Sequence, residues 1–538
     1  MAEQKSEQAD RVAVESRSAP SDLLGVLPEL LLPDDAFLEV VAEQESEQAD
    51  RDLLGDLPLL LLPDDALLEV MQYLHVADLL ACRLVCRRLG ALALHPQLWG
   101  HQRFPNKFSP RERAPVLRLA PRFGLLNLTV PLARPLTFFT TSKCAVETLW
   151  LGMRQSTLQA GQEASLVIRK QEALGRLRRL YCRSSPADPD DPAEAAAGEV
   201  ELLATLASTS QLEQLLVYGS WRGFTPSLVE ELRLSPFTEA SLKLLRLKDC
   251  DPLSLSPAFP AFANHILSTH ASTLESVDLN SHPLSALNSD LSTCSILAGM
   301  PKLSQLRCAP LSGMDALAEC PLLRDVAFEL KGESSAAARD AAAKFLRRAT
   351  QQLVKVELVY NATASTSLKT AVDMVQALAA TGKSRVETLS LVHHEYSTGL
   401  FGTMDSPRWR QALLQALRSL PALSELAVTS KCHRPGLTGL ETFLFLGITP
   451  AVAPALRTLK VQPDEVRCAH GALHTEPVQR LLASNPALRL VVLARPCNKK
   501  CDWCKVGCHP EMRCDARYPF QKQEITIPRY ENVQLSLP

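Results

Sequence analysis

At 538 residues the chain is too long for one ordinary domain core, so several domains or a repeat array are expected. Its 57 basic and 59 acidic residues leave a formal charge of −2, and no stretch of 18 consecutive apolar residues occurs, which argues against nucleic acid and membranes as partners. The polar start MAEQKSEQAD and an odd, mostly scattered set of 15 cysteines predict reduced thiols and a cytoplasmic or nuclear protein.

The first predicted element occurs twice. Residues 22–40 and 52–70 differ at three of nineteen positions, Val26/Asp56, Glu29/Leu59 and Phe37/Leu67, and residues 2–11 and 42–51 differ at one of ten. Only the second copy continues into a packable unit. After Leu62 and Pro63, with Asp64 placed to cap a helix, Leu67, Val70, Met71 and Leu74 form one apolar face at i, i+3, i+4 and i+7. Asp78 is placed to cap a second helix with Leu79, Cys82, Val85, Cys86 and Leu89 on its apolar face, and Trp99 is large enough to close a small three-helix core. The first copy has Gln44 where the second has Leu74 and no following helix, so residues 1–56 are expected to be partly disordered, with a truncated duplicate.

Residues 62–99, LPDDALLEVMQYLHVADLLACRLVCRRLGALALHPQLW, resemble an F-box. The resemblance rests on Leu62-Pro63, Tyr73-Leu74, Asp78-Leu79, Val85-Cys86-Arg87 and Leu98-Trp99. It implies a module at 57–104 that docks on the Skp adaptor of cullin–RING ubiquitin ligases through Leu62, Pro63, Leu67, Val70, Leu74, Leu79, Val85 and Cys86. A basic linker is expected at 105–122.

Beyond it, apolar residues at positions 1, 4 and 6 recur twelve times, from Val146/Leu149/Leu151 to Leu488/Val491/Leu493, at intervals of 29–37 residues with one of 20. Positions 4 and 6 share one face of an extended chain. Helix-like stretches such as 334–350, 367–382 and 409–420 separate the units, and prolines 301, 321, 421, 454 and 486 each stand two residues before a unit's first Leu. A strand and a helix every ~32 residues predict an α/β leucine-rich-repeat solenoid over 123–495, with LKLLRLKDC and LVKVELVYN in the full repeat form. The stretch 184–198, SSPADPDDPAEAAAG, reads as a flexible loop.

Positions 5 and 7 alternate with the buried ones and face the concave side. In the early units they include Trp150, Tyr181, Arg183, Tyr218, Arg246, Lys248 and Arg307, an aromatic and basic set suited to an acidic segment of a target protein. Catalytic constellations are wanting: TGKS at 381–384 lacks the earlier glycine of a phosphate-binding loop, and HHE at 393–395 lacks the second histidine of a zinc protease. The C-terminal tail, 496–538, packs Cys497, Cys501, Cys504, Cys508 and Cys514 into eighteen residues with His509 among them. Structural zinc held by four of Cys501, Cys504, Cys508, His509 and Cys514 is one reading, with no other cofactor expected. A cysteine-rich cap over the last strand, or a tail of reduced thiols, is the other.

Together these readings give a non-catalytic substrate receptor of an SCF-type ubiquitin ligase, with the adaptor and cullin at one end and a target protein on the solenoid. A leucine-rich scaffold unconnected with ubiquitin is the alternative.

Overall fold

The computed structural model describes residues 61–100, 102, 117–132, 137–154, 157–184, 192–219, 221, 223–234, 239–248, 258–279, 291–330, 335–360, 365–393, 407–430, 447–462, 475–494 and 523–526. It has mixed α/β architecture. Four short helices come first: α1 (Asp64–Met71), α2 (Val76–Cys82), α3 (Arg87–Ala93) and α4 (Pro96–Trp99). Leu67, Leu68, Met71, Leu79, Leu92, Leu98 and Trp99 make their core.

This module departs from its predicted form in three places. Pro63, not Asp64, is the residue before α1, and Asp64 and Asp65 sit in its first turn. Asp78 likewise lies in the first turn of α2, which starts after His75. The single helix expected through Leu79 and Leu89 is two, because the chain is extended at Cys86, whose Sγ accepts a hydrogen bond from the Leu89 amide at 3.5 Å and so caps α3.

A fourteen-stranded sheet follows, its strands in strict chain order: β1 (Arg122–Val130), β2 (Ala145–Met153), β3 (Arg179–Ser184), β4 (Gln214–Tyr218), β5 (Leu244–Lys248), β6 (Ser276–Asp278), β7 (Gln305–Cys308), β8 (Asp325–Leu330), β9 (Lys355–Tyr360), β10 (Thr388–His393), β11 (Glu425–Ser430), β12 (Thr458–Val461), β13 (Arg489–Ala494) and β14 (Gln523–Thr526). The first thirteen are parallel, as helical crossovers require, and β14 runs antiparallel to β13. A strand from beyond the cysteine run thus covers the sheet edge that β13 would otherwise expose.

Each predicted unit coincides with a strand, and its first-position residue is buried without exception. One further unit precedes the twelve. Phe123, Leu126 and Leu128 on β1, each 1% exposed, repeat the 1-4-6 spacing with phenylalanine first. The last unit is corrected: register pairs Leu459 with Leu490 and Val461 with Val492, so its inward pair is Leu490 and Val492, not Val491 and Leu493. Where only twenty residues separate two starts, a 3₁₀ turn, Met314–Glu319, replaces the helix between β7 and β8. Residues 192–198, read as loop, belong to a helix, since Pro192 opens an alanine-rich run that ends at Ser208.

Successive helices pack on one another across the array. A close approach joins α5 (Leu158–Ala173) and α6 (Pro192–Ser208), where a Cβ on Gly161 would lie 2.0 Å from the carbonyl oxygen of Gly198. Backbone cannot give way as a flexible side chain can. Gly161→Ala is therefore expected to force the helices apart and cost roughly 1–3 kcal/mol, checked by a lower urea midpoint. Among the described residues, no helix is long and apolar enough to cross a membrane.

Module and sheet share one core. Trp99 is fully buried, donates from Nε1 to the Ala93 carbonyl at 2.6 Å and packs edge-on against Phe123 of β1 with centroids 5.4 Å apart. Arg122 donates to the Pro96 carbonyl, and Gln102 Nε2 to the Leu74 carbonyl at 3.0 Å.

Candidate functional site

Of the ten large apolar side chains that stand exposed among the described residues, six lie within 25 residues of the helical module: Leu61, Leu62, Val70, Tyr73, Leu84 and Val85. Tyr73 and Leu84 are each 80% exposed. Leaving so much apolar surface in water opposes folding unless a partner covers it. The module's own architecture holds these residues. Arg88 donates to Asp64 Oδ1 from Nε at 2.9 Å and from Nη2 at 2.7 Å, and also to the Leu62 carbonyl at 2.6 Å. That clamp fixes the start of α1, with Leu61 and Leu62, beside the start of α3, just after Leu84 and Val85.

The predicted adaptor residues divide. Leu62, Pro63, Val70 and Val85 are exposed, and Leu74 and Cys86 are half-buried. Leu67 and Leu79, at 1% and 0% exposure, belong to the internal core, so they support the surface rather than form it. Val70 does not share the buried face of α1; Leu68 takes that place. Leu61, Tyr73 and Leu84 escaped the sequence reading as surface residues. The i, i+3 pair Val70 and Tyr73, a second apolar stripe beside the buried one, was the available signal.

A second surface lies on the sheet face away from the inward pairs. Register sets Trp150, Tyr181, Leu216, Arg246, Asp278, Arg307, Ala327 and Glu357 in one row across β2 to β9. Gly152, Arg183, Tyr218 and Lys248 form the row beside it. The Trp150 and Tyr181 rings stack, with centroids 4.7 Å apart and planes 21° from parallel. Tyr181 Oη donates to Gln214 Oε1 at 3.3 Å. Burial pushes the Tyr218 phenol up, while its hydrogen-bonded neighbour Arg246 pulls it the other way.

Two expectations for this face are corrected. Arg307 is not a free cation: it reaches over the small Ala327 to pair with Glu357, and Asp278 stands between it and Arg246 in the row. These groups line a depression of ≈ 240 Å³ in which acids and bases alternate. Position 7 is not uniformly a surface position, since Ala309, Glu329, Val359 and Val392 are buried, as is Leu216 at position 5. TGKS forms a turn between helix and strand with Gly382 at φ +62°, the reverse of the order a phosphate-binding loop needs.

Residues 59–105 match the family model described as F-box-like, a span that contains all six exposed apolar residues of the module. Comparison with curated proteins returned no match to the chain. Among the described residues no group of three or more His, Cys, Asp or Glu side chains is placed to hold a metal ion. Cys501, Cys504, Cys508, His509 and Cys514 lie outside the described residues, as do the first copy of the duplicated element and residues 103–116.

Proposed function

We propose that this chain is the substrate-recognition subunit of an SCF-type ubiquitin ligase, acting in the cytoplasm or nucleus. One observation carries the reading: the F-box-like span is also where the exposed apolar side chains concentrate. The Skp adaptor covers Leu61, Leu62, Val70, Tyr73, Leu84 and Val85 and links the chain to the cullin. The rest of the protein is a leucine-rich-repeat solenoid, a reading supported by strands in chain order and by helices that pack one on the next. Its exposed strand face captures the target, and the chain contributes proximity and orientation while its partners supply the chemistry.

The test is co-purification of adaptor and cullin with the full chain. The double substitution Tyr73→Asp and Leu84→Asp places two charges in the contact and leaves the module's core intact. It is expected to reduce adaptor binding on the order of 1,000-fold with no change in unfolding, the sum of two hot-spot losses of about 2 kcal/mol each. A scaffold reading has one observation in its favour, the continuous packing of Trp99 on Phe123, which is what a cap on the repeats needs. A purified chain that binds no adaptor while folded would establish that reading instead.

A further inference from the structure

We propose that strands β2 to β5 carry a receptor for a peptide that presents an anionic side chain close to an aromatic or large apolar one. The aromatic side chain packs on Trp150, and the anion is held by Arg183 with Lys248 nearby. The inference rests on the reading of this face as the target-capturing surface and narrows it to one patch and one chemistry.

The charge distribution sets the location. On the outward positions in register across β2 to β5, the charged residues are Arg179, Arg183, Arg246 and Lys248, and no acid occurs. Across β6 to β9 the same positions carry Asp325 and Glu357 against Arg307 and Lys355, with Asp278 and Glu329 buried. The face is therefore uneven in charge, cationic towards the helical module and mixed beyond it. Within the cationic part Arg179 is already engaged by Glu147, and Arg246 by Tyr218, whereas Arg183 is exposed and flanked by Gly152 and Tyr218.

Geometry supplies the second half. Trp150 is 45% exposed in the middle of a strand, where an indole that size loses free energy by remaining wet. Tyr181 stacks on it and so fixes the ring's orientation before any ligand arrives. Gly152, two residues on, leaves a notch beside Arg183, since a Cβ there would meet only the Leu128 carbonyl oxygen, at 3.9 Å. Strand geometry separates Trp150 from Gly152 by about 7 Å, and Gly152 from Arg183 by about 5 Å. An extended peptide spans that diagonal between one side chain and another one to three residues away. An anion entering the notch meets a guanidinium that can bind it through two N–H groups.

Selection of a displayed random peptide library on the purified full chain tests this. Sequences enriched on the wild type are expected to carry Phe, Tyr, Trp or Leu within three residues of Asp or Glu. Synthetic versions should weaken at least tenfold on Trp150→Ala and on Arg183→Glu, and weaken with added salt. Replacing the acid by phosphoserine shows whether a phosphate or a carboxylate is the better anion. Glu357→Ala, on the part of the face where acids and bases are mixed, should leave binding unchanged. Enriched peptides without an acid, an empty selection, or binding indifferent to both substitutions would overturn the proposal. Adaptor binding by the same variants is measured in parallel. Its persistence alongside lost peptide binding separates failure of this patch from failure of the ligase reading.

Discussion

Trp99→Ala is expected to cost ~3–5 kcal/mol and to unfold the helical module, because the residue serves two cores at once. On one side it closes the helices, fully buried and bonded to the Ala93 carbonyl. On the other it packs on Phe123, the first inward residue of β1. The sequence predicts a separate small core here, which would confine the damage to residues before 100. The structure instead makes the first strand of the sheet part of the loss. Hydrogen exchange therefore gives the sharper readout: amides of both 64–99 and 122–130 should exchange faster in the variant, while those of β9 to β11 stay protected. Trp99→Phe retains most of the ring contact and forfeits the hydrogen bond, so about 1–2 kcal/mol is expected for it. Unchanged exchange in β1 of Trp99→Ala would mean that the helices and the sheet are energetically uncoupled despite their contact. Adaptor binding should fall with Trp99→Ala as well, since α1 and the turn after α2 depend on the core beneath them.

The strands were legible because a strand between two layers buries alternate residues, and the 1-4-6 spacing records that directly in the sequence. The same rule explains the unit that was missed. Phe123 fills the place that leucine or valine occupies in the other units, so this unit does not open on an aliphatic residue. At the other end, β13 slips by one residue. Leu488, Leu490, Val491, Val492 and Leu493 are all apolar, so the sequence contains no alternation to fix the register, and pairing with β12 decides it. Charge pairing was less legible still. Arg307 and Glu357 are fifty residues apart and on strands that are not neighbours, and the pair exists because the intervening Ala327 is short. In the module, helical spacing puts Val70 and Val85 on the same apolar faces as core residues, yet both face outward, together with Tyr73 and Leu84. Hydrophobicity alone does not distinguish a residue buried in its own fold from one that awaits a partner.

Acidification is expected to weaken the repeats through His270, which follows helix α7 (Ala258–Thr269) and is 4% exposed. Its Nδ1 accepts hydrogen bonds from the backbone amides of Ser241, at 3.2 Å, and Leu242, at 3.5 Å, which lead into β5. Only an imidazole unprotonated at Nδ1 can accept them, and the neighbouring Thr273 hydroxyl adds a bond to the Leu242 carbonyl at 2.8 Å. Burial, with His265 nearby, holds the His270 imidazole down to about 4, against 6.5 for the free side chain. The folded pKa is the lower one, so the contribution is complete above 6.5, where both states are neutral. Between 6.5 and 4 the unfolded chain takes up a proton that the folded chain refuses, and stability falls as pH falls. The loss approaches roughly 3 kcal/mol by pH 4 and then levels off. Titrating carboxylates add their own acid dependence, so the comparison that isolates this residue is with His270→Gln, whose side-chain oxygen can accept from both amides at any pH. That variant should be somewhat less stable than the wild type at pH 7.5 and should lose less between pH 7 and 4.5 in urea unfolding. Equal losses in the two proteins would show that the imidazole does not set the acid sensitivity of these repeats.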